Sequence, residues 1–399
     1  MRRFAFASMA ILPLVLVTAC GKSALPAPQS RPVPATSTVP TGRKGPLPPV
    51  TTTPGPPIAA APWPERTLAP VPGLLAVDPA GNDAYALVSE TTAPEQGPYR
   101  LQRTDLVDHR VQDGPLFPQS SLAFLAGDLW VFGAVDMGSV GPSTQAQAYE
   151  VDSGTLSVVR TLTLPPARSA DASMALAAGP EGSVWIGYSQ NLLRVDAATG
   201  AVQDEITVPS GLLVSDVAVD PAGQFLYVAY THNVGSPSVG VPGGSVVYEY
   251  DATSGQELVS TVKGPASGSI AGASLVAVPG GVWVSFRVGM SGVTLLLRQS
   301  DLAAVAGSTS DASIGSAFAW MMGASVAYGD GTLFLAQVTG LVACIDPQTG
   351  EVRGSETLPN SPGQDGAISV FVVDGSSGLV YGGDDNGVIA FTPPASCWS

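Results

Sequence analysis

The side chains able to do acid–base, nucleophilic or metal chemistry are few in this 399-residue chain. There are two histidines, His109 and His232, and three cysteines, Cys20, Cys344 and Cys397. Ser-His-Asp catalysis would have to use one of those two histidines, and the chain contains no G-x-S-x-G elbow to present the serine. Zinc sites draw on His and Cys clusters that this inventory does not supply. Carboxylates are plentiful, so a Ca²⁺ or Mg²⁺ site of Asp, Glu and backbone carbonyls is open to the chain, but no ligand spacing specifies one and no cofactor is predicted. The carboxylates that recur do so in Asp196-Ala-Ala-Thr-Gly200, Asp251-Ala-Thr-Ser-Gly255 and Asp346-Pro-Gln-Thr-Gly350, with Asp152-Ser-Gly154 a shorter relative. An Asp heading such a segment accepts backbone N–H groups two residues on, and the closing Gly takes positive φ. The motif therefore predicts a strand reversal, not a catalytic centre.

The elements around these turns repeat with a period of roughly 40 to 60 residues, the range of propeller blades. Tight turns occur at Asp78–Gly81, Ala126–Asp128, Gly179–Gly182, Asp220–Gly223, Pro279–Gly281, Gly329–Gly331 and Asp374–Gly378. After them come DAYALV, LWVFGAV, SVWIGY, FLYVAY, VWVSFRV, TLFLAQV and LVYGGD, short runs rich in β-branched and aromatic residues that read as strands. A third strand follows in each unit, and in the first six a more polar fourth. The predicted fold is all-β: a seven-bladed β-propeller of four-stranded blades. The seventh unit stops after its third strand, while Glu65–Gly73 resembles the fourth-strand stretch Glu356–Gly363. Residues 65–71 are accordingly expected to complete the last blade and close the ring.

The chain divides into three parts. Residues 1–19 carry Arg2 and Arg3, an apolar run and Val17-Thr18-Ala19 before Cys20, which resembles a bacterial lipoprotein signal peptide with Cys20 as the lipid attachment site. A palmitate-type anchor and a location outside the cytoplasm, at the cell membrane, are what that resemblance implies. Residues 20–64 are dense in Pro and Thr and hold no acidic residue, so they cannot bury enough surface to fold. As a flexible tether they would reach roughly 36 Å. Residues 65–399 form the propeller and hold all 32 acidic residues but only 11 of the 17 basic ones. That excess disfavours nucleic acid and anionic lipid as partners, leaving the lipid anchor as the contact with the membrane. With Cys20 lipidated, Cys344 and Cys397 remain as a candidate disulfide, worth on the order of 4 kcal/mol by chain entropy.

Asp220-Pro-Ala-Gly-Gln-Phe-Leu-Tyr-Val-Ala-Tyr230 and Ser245–Gly255 resemble the repeats of YVTN and quinoprotein-like β-propellers, in phase over most of residues 65–399. Quinone-dependent relatives place a Trp four residues after the turn glycine. Here those positions are Asp204, Val259 and Gly354, which points to the cofactor-free branch.

Alternation of short turns with long segments divides the propeller into a plain end and an elaborated one, and elaborated loops on a rigid scaffold are where binding concentrates. The long segments are 89–98, 135–147, 231–244, 287–292 and 308–323. They nominate Asp136, His232, Asn233, Arg287, Trp320 and Met321 as a binding face. The expected role is binding a protein, peptide or glycan at the cell envelope. Two alternatives stand: a lyase, lactonase or cyclotransferase using a divalent cation in the central channel, and a structural envelope component.

Overall fold

In the computed structural model the described residues are 63–70, 74–78, 80, 82–90, 98–117, 120–125, 128–135, 145–166, 174–232, 245–263, 270–288, 291–307, 325–336, 341–357, 370–384 and 387–398. They form seven antiparallel four-stranded sheets. Blade 1 comprises Leu74–Asp78, Asp83–Ser89, Tyr99–Asp105 and Val111–Phe117. Blade 2 comprises Ser120–Leu125, Asp128–Val135, Gln145–Val151 and Val158–Thr163. Blade 3 follows with Met174–Ala178, Ser183–Tyr188, Asn191–Asp196 and Val202–Thr207. In blade 4 the strands are Leu212–Val219, Phe225–His232, Ser245–Asp251 and Glu257–Lys263. Blade 5 has Ile270–Val278, Gly281–Val288, Ser291–Arg298 and Ala304–Gly307. Blade 6 has Ser325–Gly329, Thr332–Ala336, Leu341–Ile345 and Val352–Thr357. Each first strand touches the first strands of the blades on either side, and blade 7 touches blade 1, so the ring is closed.

Blade 7 is built from both ends of the chain. Val370–Asp374, Leu379–Asp384 and Gly387–Phe391 supply three strands, and Glu65–Ala69 pairs on the outside of the last, with Glu65 opposite Phe391 and Ala69 opposite Val388. The Thr392 amide donates to the Pro64 carbonyl at 3.0 Å, and the buried Trp63 ring lies 5.6 Å from that of Phe391. After the last strand a short 3-10 turn, Ala395–Trp398, folds back on blade 6. Cys397 there is bonded to Cys344 of blade 6, with Cα atoms 5.6 Å apart. The Thr332 hydroxyl donates to the Cys397 carbonyl, and Trp398 packs 5.3 Å from Phe334.

The core is a set of seven interfaces, one between each pair of neighbouring blades. The third residue of every second strand is aromatic and buried: Tyr85, Trp130, Trp185, Tyr227, Trp283, Phe334 and Tyr381. Each packs into the following blade. Tyr85 meets Leu129 and Val131, Trp130 meets Ile186 and Leu193, and Trp185 meets Leu226 and Val228. Tyr227 meets Val282 and Leu297, and Trp283 meets Leu333 and Ile345. Phe334 meets Phe371 and Val380, and Tyr381 closes the circle against Val77 and Ala84 of blade 1. Truncating one such ring removes burial and leaves a cavity, a cost of about 3–5 kcal/mol.

The outer edges are all interrupted. In blades 2 to 6 one extra residue bulges from the fourth strand just after the turn: Val159, Gln203, Leu258, Val305 and Arg353. Blade 1 carries Gly114-Pro115 opposite Leu101, and the strand completing blade 7 bulges at Leu68. A bulge twists the edge and a proline removes a donor, so strand addition along these edges is hindered.

A chain starting at residue 60 should unfold as the full chain does, whereas one starting at Val71, which lacks Trp63 and the fourth strand of blade 7, should show a clearly lower urea midpoint. Replacing Cys397 by Ser should cost about 2–5 kcal/mol in the same titration run without reductant.

Candidate functional site

The recurring Asp turn is the best-defined polar constellation in the molecule. The Asp196 carboxylate accepts from the Thr199 amide and hydroxyl, both at 2.7 Å, while the Gly200 amide donates to the Asp196 carbonyl at 2.8 Å. Asp251 is held in the same way by Ser254, and Asp346 by the amides of Gln348 and Thr349. Hydrogen bonds from Thr199 hold the Asp196 carboxyl below the usual carboxylate range, and those from Thr155 do the same for Asp152. Raised to the same geometry, the turn after Asp152 is not a shorter relative: it runs to Leu156, whose amide donates to the Asp152 carbonyl at 2.8 Å. Asp105 to His109 and Arg298 to Leu302 close identically. Six blades thus share one five-residue turn whose last residue has positive φ, filled by His109, Leu156, Gly200, Gly255, Leu302 and Gly350.

Leucine in that conformation costs about 1–2 kcal/mol, and its burial explains why it is tolerated. Leu156 and Leu302 are buried in the interfaces with blades 1 and 4, a gain of about 1.5–3 kcal/mol. The space is shared reciprocally between neighbours. A side chain on Gly200 would strike Leu162 of the preceding blade, and one on Gly255 would crowd Ile206. In blade 2, where Leu156 itself fills the space, the facing residue of blade 1 is Gly114, whose missing Cβ would lie 3.0 Å from that of Leu156.

The turns are also docking points. The Trp185 indole donates to the Ala252 carbonyl at 3.1 Å, and the Trp283 indole to the Pro347 carbonyl at 3.0 Å; both acceptors are the second residue of the next blade's turn. Tyr85 bonds the Ser153 side chain at the same position in blade 2. Blade 4 departs from this scheme, because the buried Tyr227 hydroxyl finds no partner.

Towards the axis the first strands are mostly apolar. Asp216 is the acid in the middle of one, beside a bulge at Ser215. The Ser215 hydroxyl accepts from the Ala273 amide at 2.9 Å and donates to its carbonyl at 3.1 Å. Asp216 takes the Leu275 amide at 2.7 Å and the Val217 amide at 2.8 Å. The residue keeps some exposed surface, but both carboxylate oxygens are turned onto amides. Burial pushes its carboxyl up to about 7 against the opposite pull of those two donors. Among the described residues no three His, Cys, Asp or Glu side chains gather as metal ligands.

Of the residues nominated from the sequence, His232 ends the second strand of blade 4, opposite Leu212. Arg287 is not in a long loop: it lies in the second strand of blade 5 opposite Gly292, and strand pairing continues to Val288 and Ser291. Asp136, Asn233, Trp320, Met321 and Cys20 lie outside the described residues. His232 and Arg287 belong to strand ends directed away from the Asp turns, the end from which 90–98, 136–144, 233–244 and 308–324 also leave the sheets. Sequence reading missed the second-strand aromatics as a docking set and the Ser215-Asp216 bridge. The aromatics were legible as the third residue of every second strand, whereas the bridge has no counterpart in other blades to reveal it.

No protein-family model matches the sequence, and no curated protein matches it either. Solved structures do. The WD40 domain of Neurospora crassa Pan2 aligns with a TM-score of 0.51 at 11% identity, covering 83% of this chain and 96% of that one. The likeness is one of fold. BamB from Moraxella catarrhalis aligns at a TM-score of 0.49 and 13% identity over 82% of this chain and 84% of that one, and the computationally designed Ika8 protein at 0.47 and 13%.

Replacing Trp185 by Phe removes a buried hydrogen bond and should cost about 1 kcal/mol or more in urea unfolding, while Tyr227→Phe, which removes an unpartnered hydroxyl, should be neutral or stabilising. Gly114→Leu and Leu156→Gly should each destabilise. Combined, they recreate the Leu162–Gly200 arrangement, and a double-mutant cycle should return a coupling of about 1 kcal/mol or more in favour of the pair.

Proposed function

We propose that this chain is a lipid-anchored, extracytoplasmic propeller that binds a protein, peptide or glycan at the cell envelope, through the end of the ring opposite the Asp turns. The observation that carries the reading is the contrast between the two ends. At the turn end no connection is longer than residues 152–157, and the carboxylates of Asp152, Asp196, Asp251, Asp346 and Asp374 are occupied by hydrogen bonds within their own turns. That end is engaged in holding blades together. The opposite end carries segments as long as 308–324, with Trp320 and Met321, on a scaffold rigid enough to present them. Residues 1–19 would direct export, Cys20 would take the lipid, and residues 20–64 would hold the propeller off the membrane.

A channel enzyme would need several carboxylates converging on the axis. Asp216 is the mid-strand acid there, and its two oxygens are held by Leu275 and Val217. A bridging role suits it better than catalysis.

Two experiments separate these readings. Cys20→Ser should move the protein from the membrane fraction to the soluble extracytoplasmic fraction; retention on membranes would overturn the anchor. A photo-crosslinking residue at Trp320 or Arg287 should give adducts with an envelope component that are missing when the probe replaces Thr199 or Thr253 in the turns. Adducts confined to the turn positions would reverse the assignment of the face.

A further inference from the structure

Among the described residues, the interface between blades 4 and 5 buries a carboxylate oxygen without a hydrogen-bond partner. Glu249, in the third strand of blade 4, stands directly across from Tyr227. Glu249 is 3% exposed and Tyr227 is fully buried. The Glu249 Oε2 atom and the Tyr227 hydroxyl are both buried without a hydrogen-bond partner. Around them blade 4 supplies Ala218, Ala229, Val247 and Val259, and blade 5 supplies Ala277, Val282, Leu297 and Leu302. The charged groups that bear on Glu249 are two more carboxylates, Asp220 in the blade 4 turn and Asp301 in the blade 5 turn. The nearest described guanidinium in that turn, Arg298, is directed at Asp301, with a nitrogen 2.7 Å from its carboxylate. An ionised carboxylate in apolar surroundings, with acids as its charged neighbours, has nothing to replace the water it lost.

We propose that this seam is a proton-held joint: Glu249 is packed between blades 4 and 5 as the neutral acid, and losing its proton loosens the contact between the two blades. The neutral carboxyl places no charge against the leucine and valine side chains of the seam, whereas the carboxylate does. Burial pushes the Glu249 carboxyl up to about 7, and the Asp220 and Asp301 charges act in the same direction. The sign follows. A folded-state pKa above the unfolded one gives stability that is complete below about pH 4.5 and is lost as pH rises through about 7. Asp216, whose carboxyl bridges the same two blades nearer the axis, titrates in the same sense.

The test compares the wild-type chain with Glu249→Gln, which keeps the shape and cannot ionise. Between pH 5 and pH 8 the wild-type folding constant should fall, and roughly 50- to 100-fold of that fall should be missing in the variant. Amide exchange, corrected for its intrinsic pH dependence, should show blade 5 amides at the seam opening faster at pH 8 in the wild type only. The infrared absorption of protonated buried carboxyls should be present in the wild type at pH 6 and fade through about pH 7; Glu249→Gln should lose the Glu249 share of it, and Asp216→Asn should keep that share. Asp216→Asn leaves Glu249 as the raised acid of the seam, so the band read there tests the proposal even if Glu249→Gln fails to fold. Equal pH slopes in the two proteins, or a wild type without the band at pH 6, would overturn the proposal.

Discussion

Everything in this ring depends on one contact made seven times: an aromatic side chain from the second strand of each blade set into the blade that follows. A four-stranded blade has two broad faces and cannot bury either alone. At Trp185 and Trp283 the indole N–H also lands on the second carbonyl of the next blade's turn, so the angle between blades is set there as well as the distance. The Asp turn serves this contact from the other side. Its carboxylate fixes the reversal, its closing residue lets the chain turn back at positive φ, and its second residue offers the acceptor. Polar groups that look like chemistry in one dimension are mechanical parts in three.

Two electrostatic regimes coexist on this scaffold. The exposed turn aspartates are stabilised as anions by their neighbours, so their contribution is present above the ordinary carboxylate range and is lost in strong acid. The acids of the blade 4–5 seam behave oppositely and are best accommodated below neutrality. Maximum stability should therefore sit in a mildly acidic window, set by the turn aspartates of several blades against a single seam of another kind of burial.

The architecture was legible because it repeats. Blade number, turn positions and the closing strand at residues 65–71 all follow from aligning units against one another, and the structure bears out the ring and its closure by Glu65–Ala69. What was misjudged is what the repeat disguises. The turns ending in His109, Leu156 and Leu302 carry no closing glycine to mark them; the physical requirement is positive φ, which buried leucine can meet when its neighbour makes room. Residues 287–292 read as a long segment, whereas strand pairing runs to Val288 and resumes at Ser291, so Arg287 belongs to the sheet. Ser215-Asp216 and Tyr227–Glu249 occur once, and a single occurrence gives sequence comparison nothing to register.

The meeting of both chain ends at the junction of blades 6 and 7 has a mechanical meaning. Any pull transmitted along residues 1–62 arrives first at Trp63, seated against Phe391, and then at a short edge strand that could peel away pair by pair. The neighbouring strand cannot follow, because the Cys344–Cys397 bond ties the segment after it to blade 6 by a covalent route. Peeling would then stop at one strand, leaving six whole blades and three strands of the seventh still in a ring. A pull on the chain ahead of Trp63 would therefore meet a covalent stop immediately behind the first strand it frees.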